Sequence, residues 1–353
     1  MCGIVGYVGY DEAAGKIIEG LKKLEYRGYD SSGIAVLSDK GIELNKCKGE
    51  IENLENMIAG RVPSGTCGIG HTRWATHGAP SDVNSHPHMD QSGRVALVHN
   101  GIVENYVELK EALIKEHGIK FKSETDSEVI AQLVGVKYNS NGGDLEKAVY
   151  DATKEMRGTY AIGVIAEDTH DKIVAYRKEA PLIAGIGRKS NFIASDIPAL
   201  LKYTNDIFLI ENDEMVVCTP DSITIKDKDG KEVKREAMKI TWSVEDAEKG
   251  VYEHFMLKEI NEQPKVVAET LNRRIDEDGK IKLDGINLTK EELDKYNKIY
   301  IVACGTAYHA GLVGKYVIEK MAGIAVEVDV ASEFRYRDPF IDENTLFIAI
   351  SQS

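Results

Sequence analysis

The chemistry of this chain is read first from Cys2. Removal of Met1 would make Cys2 the terminus, so that one residue carries both a thiol and a free α-amine. Their ordinary pKa values, ~8.5 and ~8, lie near working pH. A thiolate is the nucleophilic form, and the amine can take its proton and later return it. The small side chain of Cys2 favours removal of Met1, and Gly3 leaves room for a substrate beside the backbone. Taken alone, this stretch is equally an ordinary terminal strand with a chance cysteine.

Further chemistry-bearing residues lie just past strand ends, where sites collect. Thr72-Arg73-Trp74-Ala75-Thr76-His77-Gly78 follows an apolar strand. Arg73 could clamp a carboxylate with its planar fork, and Trp74 could wall a pocket. Asn100-Gly101 offers a carboxamide NH₂ beside a backbone N–H, the donors of an oxyanion hole. Asn-Gly is also a turn dipeptide, but the apolar Ile102-Val103 that follows argues against a simple turn. Thr125 and Glu128 fit a capping box, which leaves Asp126 free for a cation such as a substrate ammonium. His86 and His88 lie close together, yet no carboxylate or thiol accompanies them at ligand spacing. A structural loop is expected there and no metal. In the last third, Gly305-Thr306 lies between a strand end and a helix start, where phosphates bind. Ser351-Gln352-Ser353 follows another strand and could contribute N–H groups to an anion nest.

The elements that must position these residues follow from periodicity. Ile4-Val5 and Tyr7-Val8 read as a buried strand that holds the terminus still. A helix is expected over Ala13 to Leu24 with Asp11 as N-cap. Tyr26-Arg27-Gly28-Tyr29-Asp30 reads as an ordered turn before the strand at Ile34 to Leu37, with Arg27 and Asp30 as a possible loop pair. A strand near Ile42, a short helix over Ile51 to Ile58 and a strand over Thr66 to His71 come next. The strand Val95 to Val98 and helices at Tyr106 to His117, Val129 to Val136 and Asp144 to Met156 follow. Seven short strands are then spaced between Tyr160 and Ile225. Two layered sheets with helices outside account for that order. Residues 228–250 are charged and weakly periodic and read as a linker. A helix from Tyr252 interrupted at Pro264 comes next, and then alternating β/α with a parallel sheet. The expected domains are 1–227, a linker at 228–250, and 251–353.

The chain has 353 residues and a net charge of −14, from 44 basic and 58 acidic side chains. That balance argues against a nucleic-acid or anionic-membrane surface. No apolar run approaches the ~18 residues of a spanning helix. The five cysteines are odd in number, widely spaced and without a C-x-x-C, which fits a reducing cytoplasm. Ending on a strand and its polar loop, the chain reads as a piece of a longer protein.

In combination, Cys2-Gly3-Ile4-Val5-Gly6, Tyr26-Arg27-Gly28-Tyr29-Asp30-Ser31, Gly70-His71-Thr72-Arg73-Trp74-Ala75-Thr76-His77-Gly78, His99-Asn100-Gly101 and Thr125-Asp126 resemble the glutamine amidotransferases with an N-terminal cysteine nucleophile. Lys258-Glu259-Ile260, Glu262-Gln263-Pro264, Ala303-Cys304-Gly305-Thr306, Ser332-Glu333-Phe334-Arg335-Tyr336-Arg337 and Ser351-Gln352-Ser353 resemble the sugar-isomerase half of one branch of that family. The resemblance implies a four-layer αββα N-terminal-nucleophile domain followed by the start of a doubly wound α/β sugar-isomerase domain. It implies that Cys2 attacks the side-chain amide of glutamine while Asn100 and Gly101 hold the oxyanion. Arg73 would bind the α-carboxylate of glutamine and Asp126 its α-ammonium. Trp74, Thr76 and His77 would form the same wall, with Trp74 gating ammonia. The ammonia would replace the 2-oxygen of fructose 6-phosphate, giving glucosamine 6-phosphate. Thr306, Ser351, Gln352 and Ser353 match sugar-phosphate-binding positions. No cofactor is implied, and a homodimer is. Ala307 stands where the family usually has a serine, and Leu257 and Asn261 depart from its usual choices. The family's later isomerase residues lie beyond Ser353, so glutamine hydrolysis is the half-reaction expected here.

Other classes fit less well. A phosphoribosyl-pyrophosphate type needs a pyrophosphate loop that the second half lacks. An asparagine synthetase needs an S-G-G-x-D-S loop, which Ser140-Asn141-Gly142-Gly143-Asp144 does not match. A non-enzymatic sugar-phosphate sensor has no need of an intact Cys2, Arg73, Asn100, Gly101 and Asp126.

Overall fold

The computed structural model describes residues 2–75, 78–241, 252, 254–276, 278–283, 285–286 and 288–351. The chain divides into two compact units, Met1–Lys258 and Glu259–Ser353.

The strands of the first unit are β1 (Gly3–Gly9), β2 (Ser31–Ser38), β3 (Gly41–Lys48), β4 (Cys67–Arg73), β5 (His88–Met89), β6 (Val95–Val103), β7 (Gly158–Ala166), β8 (Ile173–Lys178), β9 (Ile183–Gly187), β10 (Ser190–Ala194), β11 (Asp206–Leu209), β12 (Glu214–Cys218), β13 (Ile223–Lys226) and β14 (Met238–Lys239). Its helices are α1 (Ala13–Lys22), α2 (Ile51–Ile58), α3 (Tyr106–His117), α4 (Asp126–Ser140) and α5 (Leu145–Glu155). One sheet has the order β14-β11-β9-β10-β1-β4-β2-β3, the other β13-β12-β8-β7-β6-β5.

Alternation along the strands builds the layers. In β1, Ile4 and Val8 face the space between the sheets, where they join Ile69, Val98, Ala161 and Val216. Val5 and Tyr7 face the other way, into a layer with Ile17, Leu21 and Leu54 of α1 and α2. Val95, Leu97 and Ile162 of the second sheet pack on Val129, Leu133 and Ala148 of α4 and α5. The result is the expected αββα order. Each fully buried Ile or Leu contributes roughly 1.5–3 kcal/mol, so three such layers hold the strand ends firmly. Glycine sets one spacing: a Cβ at Gly70 would lie 2.4 Å from Ile17, so α1 rests directly on β4.

Several expectations are corrected. The N-cap of α1 is Glu12, not Asp11, and no side chain caps it; Asp11 pairs with Lys16 at 3.2 Å. Arg27 and Asp30 do not pair with each other but with Asp196 and the Ala75 amide. The segment after residue 227 is not free linker up to residue 241. β14 pairs with β11, Ile240 is buried, and Arg235 forms a two-pronged pair with Glu214 at 2.8 Å. Residues 242–251 lie outside the described residues.

The second unit contains β15 (Lys298–Ala303), β16 (Ala325–Val330) and β17 (Thr345–Ile350), with α7 (Lys290–Leu293), α8 (Gly305–Ala322) and α9 (Ala331–Phe334). Ahead of them, α6 (Phe255–Asn272) runs through Pro264 and is not interrupted there. Proline removes one backbone donor and crowds the carbonyl four residues back, yet helix continues on both sides of Pro264. All three strands are parallel in the order β16-β15-β17. The chain therefore changes direction across β15, which makes the C-terminal ends of β15 and β17 a switch point.

Candidate active site

Cys2 lies immediately before β1, which is flanked by β10 and β4. Its thiol meets the end of β4. The Trp74 N–H donates to Sγ at 3.2 Å, and Sγ donates to the Trp74 carbonyl at 3.5 Å. Cys2 is half-buried, and burial pushes its thiol pKa up. A thiol in this setting needs a base to become a nucleophile.

The turn at residues 25–30 lies against the end of β4 beside Cys2. A Cβ at Gly28 would lie 2.6 Å from the Arg73 carbonyl carbon, so only glycine lets the turn lie against β4. The Asp30 N–H donates to the Arg73 carbonyl at 3.1 Å, and the Asp30 carboxylate accepts from the Ala75 N–H. These bonds fix the Trp74 amide that faces the sulfur. Arg27 Nε donates to the Cys2 carbonyl at 3.3 Å, while its Nη1 pairs with Asp196 at 2.5 Å. Tyr26 shares Asp196, and burial together with that carboxylate pushes its pKa up to about 12.

Asn100 Nδ2 donates to the Cys2 carbonyl at 3.0 Å. Its position corrects the loop reading: β6 does not stop at Val98 but runs to Val103 and pairs with β7 throughout. Gly101 sits in that strand at φ +120°, and a Cβ there would lie 2.0 Å from the Thr159 carbonyl oxygen. The glycine permits a locally distorted, exposed strand segment beside the nucleophile.

Arg73 ends β4, is buried, and donates through Nη2 to the Gly78 carbonyl at 3.1 Å. Asp126 is the first residue of α4, where the helix dipole favours a negative charge. It is not free, as expected, but accepts from the Val103 N–H at 3.0 Å and, through its other oxygen, from Ser127 Oγ at 3.4 Å. The capping box is half-formed. Thr125 Oγ1 accepts from the Glu128 N–H, but the Glu128 carboxylate reaches past Thr125 to the Lys122 and Ser123 amides. Trp74 is half-exposed and stands edge-on to Tyr29 at 5.4 Å. Thr76 and His77 lie outside the described residues.

Thus Cys2, Trp74 and Asn100 meet by direct hydrogen bonds, Arg73 adjoins Trp74, and Asp126 is tied two residues beyond Gly101. Arg27, Asp30, His71 and Asp196 support this group and were not singled out as site residues from the sequence. The signal that could have found them is spacing: His71 and Arg73 share one face of β4. His86 and His88 belong to a buried histidine set. His86 Nδ1 accepts from the His99 N–H at 3.3 Å, and His88 Nε2 bonds Thr125 Oγ1 at 3.1 Å. Among the described residues no group of three or more His, Cys, Asp and Glu side chains could hold a metal. No helix of the described residues is long and apolar enough to cross a membrane.

In the second unit, Thr306 is exposed in the first turn of α8, at the end of β15. Ser351 follows β17, whose Ile350 lies beside Ala303. The sheet therefore places both at the switch point. Gln352 and Ser353 lie outside the described residues.

Comparison with known proteins finds a match in each unit. Residues 71–202 match a glutamine amidotransferase domain and residues 292–353 a SIS domain. The phosphoribosylpyrophosphate amidotransferase of B. subtilis shares the fold with a TM-score of 0.58 at 19% identity, over 99% of this chain and 69% of that one. The glutamine amidotransferase match falls within the first unit, and the SIS match within the second. Along its whole length the chain is similar to the glutamine–fructose-6-phosphate aminotransferases (isomerizing). It is 57% identical to that of Clostridium tetani over 353 residues and 49% identical to that of Thermus thermophilus over 354. In both cases the match covers 100% of this chain, which spans 57% of the relative's length.

Proposed function

We propose that this chain is the glutamine-hydrolysing portion of a glutamine–fructose-6-phosphate aminotransferase, joined to the beginning of its sugar-phosphate-binding portion. The observation that carries the reading is the Cys2 thiol held against the Trp74 backbone, with the Asn100 carboxamide bonded to the Cys2 carbonyl. After loss of Met1, the Cys2 amine takes the thiol proton and Sγ attacks the carboxamide carbon of glutamine. The resulting oxyanion is held by Asn100 Nδ2 and the Gly101 N–H. Collapse breaks the C–N bond, the amine returns its proton to the departing nitrogen, and ammonia leaves a glutamyl thioester. Water then cleaves the thioester to glutamate and restores the thiol. Arg73 holds the substrate carboxylate, Asp126 its ammonium, and Trp74, Thr76 and His77 close the wall.

In the complete protein the ammonia replaces the 2-oxygen of fructose 6-phosphate and isomerisation gives glucosamine 6-phosphate. Thr306, Ser351, Gln352 and Ser353 receive the sugar phosphate, supported by the helix N-terminus at the sheet switch point. The protein acts as a cytoplasmic homodimer on two small molecules, with no nucleic acid, membrane or cofactor. The wide spacing of the five cysteines, without a C-x-x-C, is what suggests the reducing compartment.

The test is intact mass and peptide mapping after exposure to a diazo-ketone analogue of glutamine. Loss of Met1 and a single adduct on Cys2, blocked by excess glutamine, is the expected result. Retention of Met1, or label scattered over Cys47, Cys67, Cys218 and Cys304, would overturn it.

A further inference from the structure

His71 lies on β4 opposite Ile4 of β1 and is fully buried. Its Nε2 is 3.0 Å from the His99 carbonyl oxygen and 2.9 Å from Asn100 Oδ1. A carbonyl oxygen can only accept, so Nε2 carries the proton. Asn100 Oδ1 is then an acceptor of the same N–H, and its NH₂ must point the opposite way, toward the Cys2 carbonyl at 3.0 Å. Among the described residues Nδ1 has no hydrogen-bond partner, as suits the unprotonated nitrogen of a neutral ring. Burial pushes the His71 pKa down to about 3, so the ring stays neutral. The ring plane is fixed by stacking on His86, with centroids 4.1 Å apart and planes 17° apart.

We propose that His71 is a positioning residue for glutamine hydrolysis: its Nε2–H fixes which end of the Asn100 carboxamide faces the nucleophile. The proposal rests on the reading of Asn100 as an oxyanion donor. A carboxamide that turns over presents oxygen where its NH₂ should be. The developing negative charge then meets an acceptor in place of a donor. Binding of glutamine through Arg73 and Asp126 would be spared, so the defect falls on the chemical step.

The experiment compares glutamine hydrolysis by His71→Leu, His71→Gln, Asn100→Ala and the double variant. Glutamine can place its Nε2 near the position of the lost ring Nε2–H. Losing an oxyanion donor costs about 10²–10³ in kcat, and Asn100→Ala is expected in that range. His71→Leu is expected to lose kcat by about 10²-fold with KM changed less than about threefold, and His71→Gln to regain most of that loss. The double variant should be no slower than Asn100→Ala. Unchanged kcat in Asn100→Ala would sink the oxyanion reading itself, and this inference with it. An impaired Asn100→Ala beside a normal His71→Leu would sink the positioning role alone, as would losses that multiply in the double variant. Should His71→Leu not fold, His71→Asn lacks a donor at the Nε2 position and replaces it. Equal kcat in His71→Asn and His71→Gln would then overturn the proposal.

Discussion

The two units place their polar groups in opposite ways. In the first, the candidate site residues come from the turn at 25–30 and from β4, β6 and α4, and Arg27, His71, Arg73, Asn100 and Asp126 are all buried. In the second, Thr306 and Ser351 are exposed at the rim of a three-stranded sheet whose buried apolar cluster is Ile299, Ile301 and Val326. Val313, Tyr316, Met321 and Phe347 of that unit are exposed. The contrast teaches that a deep core is what lets a site use buried, hydrogen-bonded polar groups. A shallow one leaves its candidate binding groups on loops and helix ends.

The largest expected difference between the units is chemical. Cys2→Ala should abolish glutamine hydrolysis, since no other group can form the thioester, while thermal unfolding of the first unit stays within about 0.5 kcal/mol. Retained hydrolysis in a steady-state ammonia assay would break the mechanism. Gly101→Ala should destabilise the first unit by about 2–4 kcal/mol, because a side chain at φ +120° meets the Thr159 carbonyl. Denaturant unfolding measures it, and a neutral result would mean that β6 relaxes around the new methyl.

Acid should separate the units next. His71, His86 and His88 are buried, and desolvation holds their pKa values below the ordinary 6.5, to about 3 for His71. Arg73 pushes each of these three further down, as Lys46 does His88. Below pH 6.5 the unfolded chain binds more protons than the folded one. This stabilisation is therefore complete above pH 6.5 and is lost as pH falls toward the folded values. The Tm of the first unit should drop between pH 7 and pH 5. A flat Tm would show that these rings do not stay neutral in the folded state. The second unit has no buried histidine among its described residues, so its response should be weaker. Smallest of all, Thr306→Val should change the stability of the second unit by less than about 0.5 kcal/mol, because the side chain is exposed. A larger loss in thermal melts would mean that the rim is more ordered than its exposure indicates.

Much of this contrast was legible in the sequence, for physical reasons. Short apolar runs at Ile4 to Val8 and Val95 to Val98, and the Gly-, Asp- and Asn-punctuated strands up to Ile225, mark the buried strands of the layers. The parallel sheet of the second unit followed from its β/α alternation. Asn100-Gly101 carried a strand-end signal because dipeptide statistics do not report that a neighbouring strand can hold a glycine at positive φ. Asp126 looked free because its partner, the Val103 amide, is 23 residues away. His86 and His88 were read as a close pair, and only folding brings them together with His71 and His99. The segment after residue 227 looked like linker because its anchors, Ile240 and the Arg235–Glu214 pair, are too few to give a period.

The strand that follows Cys2 is the fifth of eight, with a neighbour on each side. Most chain ends fray at almost no cost. Here, peeling the terminus away would require opening the centre of a sheet, so amides of β1 should exchange with solvent only as slowly as those of the deepest core. Cys2 then has no private melting transition. If the proposed hydrolysis holds, heat inactivation and loss of the domain would be one event, and surviving activity would count folded molecules directly.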